Sequence, residues 1–174
     1  KDRPAFTRYK RNPILAPQAK HDWEAKAVFN PAAVDVPGKT VILYRAQGHD
    51  DTSVFGYAES KNGLSISRRL AKPVYVPRAP FEVKQAPGNS GCEDPRLTRF
   101  DDTYYMLYTA VDAANPPRVA LTTIPAEDFL AERFDRFSDP VLISPPGIDD
   151  KDACLFPEKI DGKYVILHRI QPSI

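Results

Sequence analysis

The residues best suited to acid–base chemistry lie close together in residues 91–96. Within this segment Glu93 and Asp94 supply two carboxyl groups, and Arg96 supplies a guanidinium group. Neighbouring charges of this kind shift carboxyl pKa values and suit a carboxyl group to proton transfer. Because Pro95 follows it, Asp94 is expected on a loop or at the first residue of a strand. A structural acid–arginine pair at a turn is the alternative that the spacing leaves open.

Three hairpin patterns surround this segment. In each, two β-rich runs flank a turn, at residues 37–39, 101–102 and 161–163. The second run of each pattern is centred on a leucine, and these leucines (Leu43, Leu107 and Leu167) lie roughly 60 residues apart. The residues before the first-run prolines, Asn30, Asp94 and Phe156, are predicted to be equivalent.

A repeat of about 60 residues with three or four strands predicts an all-β fold, in which each repeat is one blade of a β-propeller. Hairpins of a β-sandwich are the alternative. We divide the single domain, residues 1–174, into repeats at about 12–71, 72–138 and an incomplete 139–174. Propellers close with about four to eight blades. The chain holds about 2.5–3 blades, so we interpret it as a partial propeller: a fragment, a truncated product or a half that pairs with another copy.

Composition excludes several classes of function. The chain has 24 basic and 23 acidic residues and no basic tract, so nucleic acid is not an expected partner. No apolar run approaches about 18 residues, so no membrane span is expected. Cys92 and Cys154 are too few for a disulfide framework, and we expect free thiols in a reducing, cytoplasmic location. The histidines are scattered, so no metal site is predicted. Residues 125–137 are the one predicted helix, between blades.

Equivalent positions of a repeat line the same surface, and the innermost strands of a propeller border its central channel. Polar residues at such positions indicate a site that several blades assemble. Here the pattern gathers one acid, an imidazole, an amide and several cations. An acid facing cations favours acid catalysis on a substrate with an anionic partner such as phosphate. The residues collected are Asp94, His168, Asn30, Arg45, Arg96, Arg118, Lys151 and Arg169.

Four segments resemble the family 130 glycoside hydrolases, which include β-mannoside phosphorylases and some β-mannosidases on a five-bladed β-propeller. They are residues 29–33, 43–46, 91–96 and 151–159, and the Leu-His-Arg at 167–169 fits as well. The resemblance spans about residues 10–170, which corresponds to the N-terminal half or so of a family member. It therefore implies a partial five-bladed propeller, in agreement with the blade count.

The resemblance implies that Asp94 is the proton donor, acting through a sugar hydroxyl, while inorganic phosphate attacks the anomeric carbon with inversion. The products would be α-mannose 1-phosphate and a shortened acceptor, with phosphate as co-substrate and no other cofactor. The implied phosphate ligands are Arg118, Lys151 and His168, followed by Arg45, Arg96 and Arg169. The implied sugar contacts are Asn30, Glu93 and Asp152.

Three rival functions stay open from the sequence. A β-mannosidase of the same fold would use water in place of phosphate, although the cations argue against it. A non-catalytic carbohydrate-binding half-propeller gains from the missing blades. The arabinanase and invertase-like propellers carry an early Asp where this chain has Asn30. Open sheet edges and apolar faces also predict self-association into a homo-oligomer.

Overall fold

The computed structural model describes residues 6–172, which form two four-stranded blades and the first hairpin of a third. Within each blade neighbouring strands are antiparallel. Blade 1 contains β1 (Ala27–Val36), β2 (Lys39–Gln47), β3 (Thr52–Ser60) and β4 (Arg68–Arg69). Blade 2 contains β5 (Ser90–Phe100), β6 (Thr103–Val111), β7 (Arg118–Pro125) and β8 (Val141–Leu142). Blade 3 contains β9 (Asp150–Leu155) and β10 (Ile166–Ile170).

The hairpin turns occur where the sequence predicts them. The first turn places Gly38 at φ 80°, a left-handed conformation that glycine adopts without steric cost. The third turn places Asp161 at φ 51° and Gly162 at φ 75°, as a tight hairpin turn requires. Ile160 and Lys163 pair across that turn.

The three repeated leucines occupy one register position. Leu43 lies opposite Ala32, Leu107 opposite Arg96 and Leu167 opposite Cys154. Beside each pair the register shifts, so that two residues of the inner strand face one residue of its partner, which is a β-bulge. The repeat is therefore real at the level of strand pairing.

The bulges correct two details of the sequence reading. The bulge residues in left-handed conformation are Asn30, Asp94 and Asp152, at φ 44°, 53° and 57°. The residue of blade 3 that is equivalent to Asn30 and Asp94 is thus Asp152, and the prediction of Phe156 is wrong. The sequence misled because Ala153 stands where the first two blades carry the proline that marks the bulge. Asp94 also lies inside β5, because a bulge accommodates its conformation within the strand.

The blades pack face against face through apolar side chains. Leu43 and Phe55 of blade 1 share a core with Met106 and Tyr108 of blade 2. Leu107 of blade 2 packs with Ala153 and Leu155 of blade 3 in a separate cluster. At the same register Leu167 is 58% exposed, whereas Leu43 and Leu107 are each 1% exposed. Blade 3 therefore presents an uncovered apolar face in this structure.

Blades 1 and 2 also join through their backbones. Ser53 of β3 pairs in parallel with Gly91 of β5. Gly91 has φ 102°, and a Cβ at this position would lie 2.1 Å from the Ser53 carbonyl oxygen. Glycine is required here by both conformation and space. The junction lies three residues before Asp94, so it fixes where the acidic segment begins.

Buried carboxylates anchor the tyrosine that follows the repeated leucine in the first two blades. Tyr44 donates to Glu24 Oε2 at 2.8 Å, and Tyr108 donates to Glu82 Oε1. Both acids are fully buried. Glu82 also accepts the Arg78 and Ala79 backbone N–H groups, each at 2.8 Å. These bonds satisfy groups that would be costly to bury alone.

The connections are short and largely irregular. The predicted helix at 125–137 contains one α-helix, α1 (Ala126–Leu130), and a 3-10 turn at Phe134–Arg136. Val141–Leu142 pairs with β7, so the outer strand of blade 2 lies beyond the repeat boundary placed at 139. Cys92 is buried and Cys154 half-buried, both as free thiols. Among residues 6–172 no helix is long and apolar enough to cross a membrane.

Candidate active site

The three innermost strands bring their bulges to one place. β1, β5 and β9 start the three blades, and each bulge turns one Asx residue out of the regular strand alternation. Bulges re-aim side chains in this way and are common beside active sites. Asn30 and Asp94 are joined directly, since Asn30 Nδ2 donates to Asp94 Oδ1 at 2.9 Å. The bulges thus form a row of polar groups across neighbouring blades.

Asp94 is held by two donors that share one of its oxygens. Besides Asn30, Arg45 Nη1 donates to Asp94 Oδ1 at 3.2 Å. Within residues 6–172 no hydrogen bond reaches Oδ2. The side chain is 14% exposed, so the carboxyl group is largely shielded but reachable. One oxygen is fixed and the other is available to a ligand.

Arg45 is the central cation of this arrangement. Its Nη2 donates to Glu93 Oε1 at 2.6 Å, and its Nε donates to Ser53 Oγ at 3.0 Å. Its guanidinium lies over the Phe29 ring, 4.5 Å from the centroid. The residue is 8% exposed. All three of its nitrogens are therefore engaged by the protein, and it ties blade 1 to blade 2.

Glu93 is surrounded by charged side chains. Burial raises the pKa of Glu93, and the Arg45 charge opposes that rise. Asp94 and Asp152 raise it further, whereas Lys151 lowers it. Charged side chains from all three blades therefore influence the pKa of Glu93.

Blade 3 contributes Lys151, Asp152 and Arg169. Arg169 Nη2 lies 2.5 Å from Asp152 Oδ2, and the Asp152 backbone N–H donates to Thr109 Oγ1 at 3.4 Å. Lys151 lies opposite Arg169 in the hairpin. Among the described side chains Lys151 has no ion pair within 4.0 Å, which leaves its ammonium group available to an anion.

The remaining predicted ligands have separate neighbours. Arg96 Nη1 donates to the carbonyl oxygens of Pro31 at 3.3 Å and Pro95 at 3.1 Å, so it links two bulges. Arg118 Nη2 donates to the Ser144 carbonyl oxygen, while its buried Nε has no partner in the described chain. His168 Nδ1 lies 2.9 Å from Asp150 Oδ1. Within the described residues, Arg118 and His168 are therefore each held by a different partner.

Sequence reasoning missed three contributors to the site. Ser53 and Phe29 fix Arg45, and Asp150 holds His168. Phe29 adjoins Asn30 and Asp150 adjoins Lys151, so nearness to a candidate residue was an available signal. Ser53 carries no such signal, because it reaches Arg45 only through strand pairing. No cluster of His, Cys, Asp and Glu in the described part of the chain could hold a metal ion.

Comparisons with known proteins identify the fold and the family of this chain. Solved structures that match include a glycosyl hydrolase from Bacteroides ovatus, with a TM-score of 0.72 and 27% identity over 92% of this chain and 52% of that one. A second structure, with a TM-score of 0.70 and 27% identity, comes from work on family 130 hydrolases that target beta-1,2 mannosidic linkages in Candida mannan. The fold is that of the five-bladed β-propeller glycoside hydrolases, and the predicted partial propeller is confirmed.

The chain belongs to glycoside hydrolase family 130, as its motifs predict. The family's sequence profile, described as beta-1,4-mannooligosaccharide phosphorylase, matches residues 6–174. The chain is 34% identical over 182 aligned residues to a beta-1,2-mannobiose phosphorylase of Thermoanaerobacter sp. (strain X514), covering 97% of this chain and 56% of that protein. A 1,2-beta-oligomannan phosphorylase of that organism is 37% identical over 171 residues, 93% of this chain and 52% of that protein. The chain spans about half the length of these relatives.

Proposed function

We propose that this chain forms part of an inverting β-mannoside phosphorylase. The observation that supports it most directly is Asp94, which Asn30 and Arg45 fix through one oxygen while the other oxygen accepts no hydrogen bond within residues 6–172. An inverting hydrolase needs two carboxyl groups that flank the scissile bond. Here Arg45 bonds to both Glu93 and Asp94, and Asp94 is the proposed acid because its Oδ2 accepts no hydrogen bond within residues 6–172.

In the proposed reaction Asp94 gives a proton to a sugar hydroxyl, whose own proton passes to the glycosidic oxygen. A phosphate oxygen forms the new bond to the anomeric carbon as the bond to the leaving oxygen breaks. The leaving oxygen keeps the bonding electron pair and takes the proton. The products are α-mannose 1-phosphate and a shortened acceptor, and Asp94 is left as a carboxylate.

We propose that Lys151 binds the phosphate directly, with Arg118, His168 and Arg169 as further candidate ligands. Lys151 has the strongest support, because no described acid pairs with it and it lies close enough to Glu93 to lower the pKa of that carboxyl group. Asn30 and Asp152 are the proposed sugar contacts, since Asn30 bonds to Asp94 and Asp152 occupies the equivalent bulge position in blade 3.

A phosphate-dependent assay tests the proposal. With β-1,2-mannobiose as substrate, α-mannose 1-phosphate should appear only when phosphate is present. Asp94→Asn should abolish the product while the far-ultraviolet circular dichroism stays unchanged. Retained turnover in this variant would refute the assignment of Asp94.

A β-mannosidase is the second candidate function, and it is favoured by the family 130 structure that acts on mannan linkages. It predicts free mannose at the same rate with and without phosphate. Sugar binding without either product would instead favour a non-catalytic half-propeller.

We also propose that the chain self-associates and is cytoplasmic. The exposed Leu167, Tyr164 and Ile170 on blade 3 support self-association, because an uncovered apolar face favours a partner. The free cysteines support a reducing compartment. Light scattering on a size-exclusion column gives the molar mass, and a monomer at all concentrations would contradict the first proposal.

A further inference from the structure

We propose that Arg45 is a positioning residue, which fixes Oδ1 of Asp94 so that Oδ2 is the oxygen that carries the transferred proton. This inference rests on the proposed function of Asp94. It goes beyond that function by naming the oxygen and the residue that selects it. It also gives Arg45 a role other than the phosphate contact that the sequence suggests.

The two oxygens of Asp94 differ in their hydrogen bonds. Oδ1 accepts from Asn30 at 2.9 Å and from Arg45 at 3.2 Å. Both donors would clash with a proton on Oδ1, since neither nitrogen can accept it. Oδ2 has no protein donor within residues 6–172. A proton on Asp94 is therefore carried by Oδ2, and it leaves from Oδ2 to the sugar hydroxyl.

Arg45 is built to hold this geometry. Its Nε and Nη2 are fixed by Ser53 at 3.0 Å and Glu93 at 2.6 Å, which leaves Nη1 aimed at Asp94. Phe29 supports the guanidinium plane from one face. Because a planar guanidinium has fixed donor directions, its two anchors determine where the third nitrogen points.

The repeat supports a role specific to Asp94. Thr109 and Arg169 occupy the register position of Arg45 in the other two blades. Thr109 accepts a backbone N–H group of Asp152, and Arg169 pairs with Asp152 of its own hairpin. In the described chain, Arg45 alone of these three reaches the carboxyl group of the following blade.

Charged groups from two neighbouring strands surround Asp94. Glu93 and Arg96 come from the strand of Asp94 itself, and Lys151 and Asp152 come from β9. Arg96 is directed at the carbonyl oxygens of Pro31 and Pro95. Asn30 is the one other side chain of the described residues that bonds to Asp94. Arg45 is thus the one cation among the described residues that bonds to Asp94, and its removal leaves Oδ1 held by Asn30 alone.

Nuclear magnetic resonance of the 174-residue chain tests the positioning without any turnover. Three-bond couplings from the Asp94 Cγ atom to its backbone nitrogen and carbonyl carbon report the χ1 rotamer. The unsubstituted chain should show one rotamer. Arg45→Lys should show rotamer averaging, because a lysine ammonium group cannot hold Ser53, Glu93 and Asp94 in fixed directions.

Arg68→Lys is the matched control. Arg68 also connects the two blades, through Glu59 at 3.0 Å and Glu132 at 2.8 Å, but at a distance from the site. It should leave the Asp94 rotamer unchanged. Several Asp94 rotamers in the unsubstituted chain, or one rotamer in Arg45→Lys, would overturn the proposal.

Steady-state kinetics gives a second readout. Arg45→Lys should lower kcat for phosphorolysis about 10- to 100-fold, the usual effect of misplacing a reacting group, with KM within about threefold. A rise in KM for phosphate at unchanged kcat would instead identify Arg45 as a phosphate ligand and overturn the proposal. Absent turnover in the unsubstituted chain would count against the proposed function alone, because the rotamer measurement still decides the role of Arg45.

Discussion

The repeated leucines allow one energetic prediction with an internal control. Leu43, Leu107 and Leu167 share one register position, one backbone conformation and one residue type. The first two are 1% exposed, and the third is 58% exposed. Replacing each with alanine removes the same atoms, so differences in the free energy of unfolding report the packing of each blade face.

The magnitudes follow from burial. Leu→Ala in a packed core costs about 2–5 kcal/mol, which combines lost transfer energy with the cavity left behind. We expect that range for Leu43→Ala and Leu107→Ala. Leu167 retains less than half of its possible burial and leaves no enclosed cavity, so Leu167→Ala should cost under about 1 kcal/mol.

Urea denaturation followed by circular dichroism and Trp23 fluorescence measures these costs. The comparison is made at two protein concentrations differing by about 50-fold. A cost for Leu167→Ala equal to that for Leu107→Ala in a dilute monomer would refute the argument from exposure. A cost that appears only at high concentration would show that a second copy covers blade 3, since association stabilises by mass action.

Three further predictions concern other parts of the fold. Gly91→Ala should lower the free energy of unfolding by more than about 2 kcal/mol or prevent folding, because the new Cβ would overlap the Ser53 carbonyl at a left-handed backbone position. Gly63→Ala is the control, since its Cβ at φ 70° meets no atom within 4 Å and the substitution should cost less. Equal urea midpoints for the two variants would contradict this prediction. Burial raises the pKa of the Cys92 thiol, so a native-state thiol reagent should modify the half-buried Cys154 first, and equal rates measured by mass spectrometry would count against the burial argument. The hydrogen bond from Arg68 lowers the pKa of Glu132. Burial acts to raise the pKa of Glu59, but hydrogen bonds from Lys39, Tyr57 and Arg68 lower it overall. The resulting stability is present above the pKa of glutamate in the unfolded chain and is lost as pH falls through the lowered pKa of the folded chain. Arg68→Ala should therefore cost about 0.5–1 kcal/mol at pH 7 and less at pH 3. A cost in urea melts that does not depend on pH would refute the pairing.

Strand pairing in the first two blades was predictable from the sequence because hairpins are local, whereas in blade 3 the predicted run at 156–160 is wrong and Asp150–Leu155 pairs with β10 instead. The turns at Gly38 and Gly162 and the three leucines have signals within a few residues, and the structure confirms them. The bulge of blade 3 was not predictable by the same rule. Its position is defined by the conformation of Asp152, and the proline that marks the other two bulges is alanine there.

The contacts between blades lay beyond sequence reasoning. Equivalent repeat positions predicted that Arg45 would lie close to the acidic segment. Its bonds to Glu93, Asp94 and Ser53, however, depend on the angle between two sheets. The pairing of His168 with Asp150 depends likewise on the closing of a hairpin. Residue spacing gives neither the angle between sheets nor the closing of a hairpin, so it identified the charged residues of the site but not their hydrogen-bond partners.

The register of the repeat separates two columns of residues along the second strand of every blade. One column is leucine in all three blades, and the column two residues further on is Arg45, Thr109 and Arg169. The first column sets how blades stack, and in blades 1 and 2 the second column sets which side chain reaches the bulge of the next blade. Chemical identity can thus diverge after blade duplication without disturbing the stacking surface. Arg45 is the exception, because its bonds to Glu93 and Asp94 tie blade 1 to blade 2.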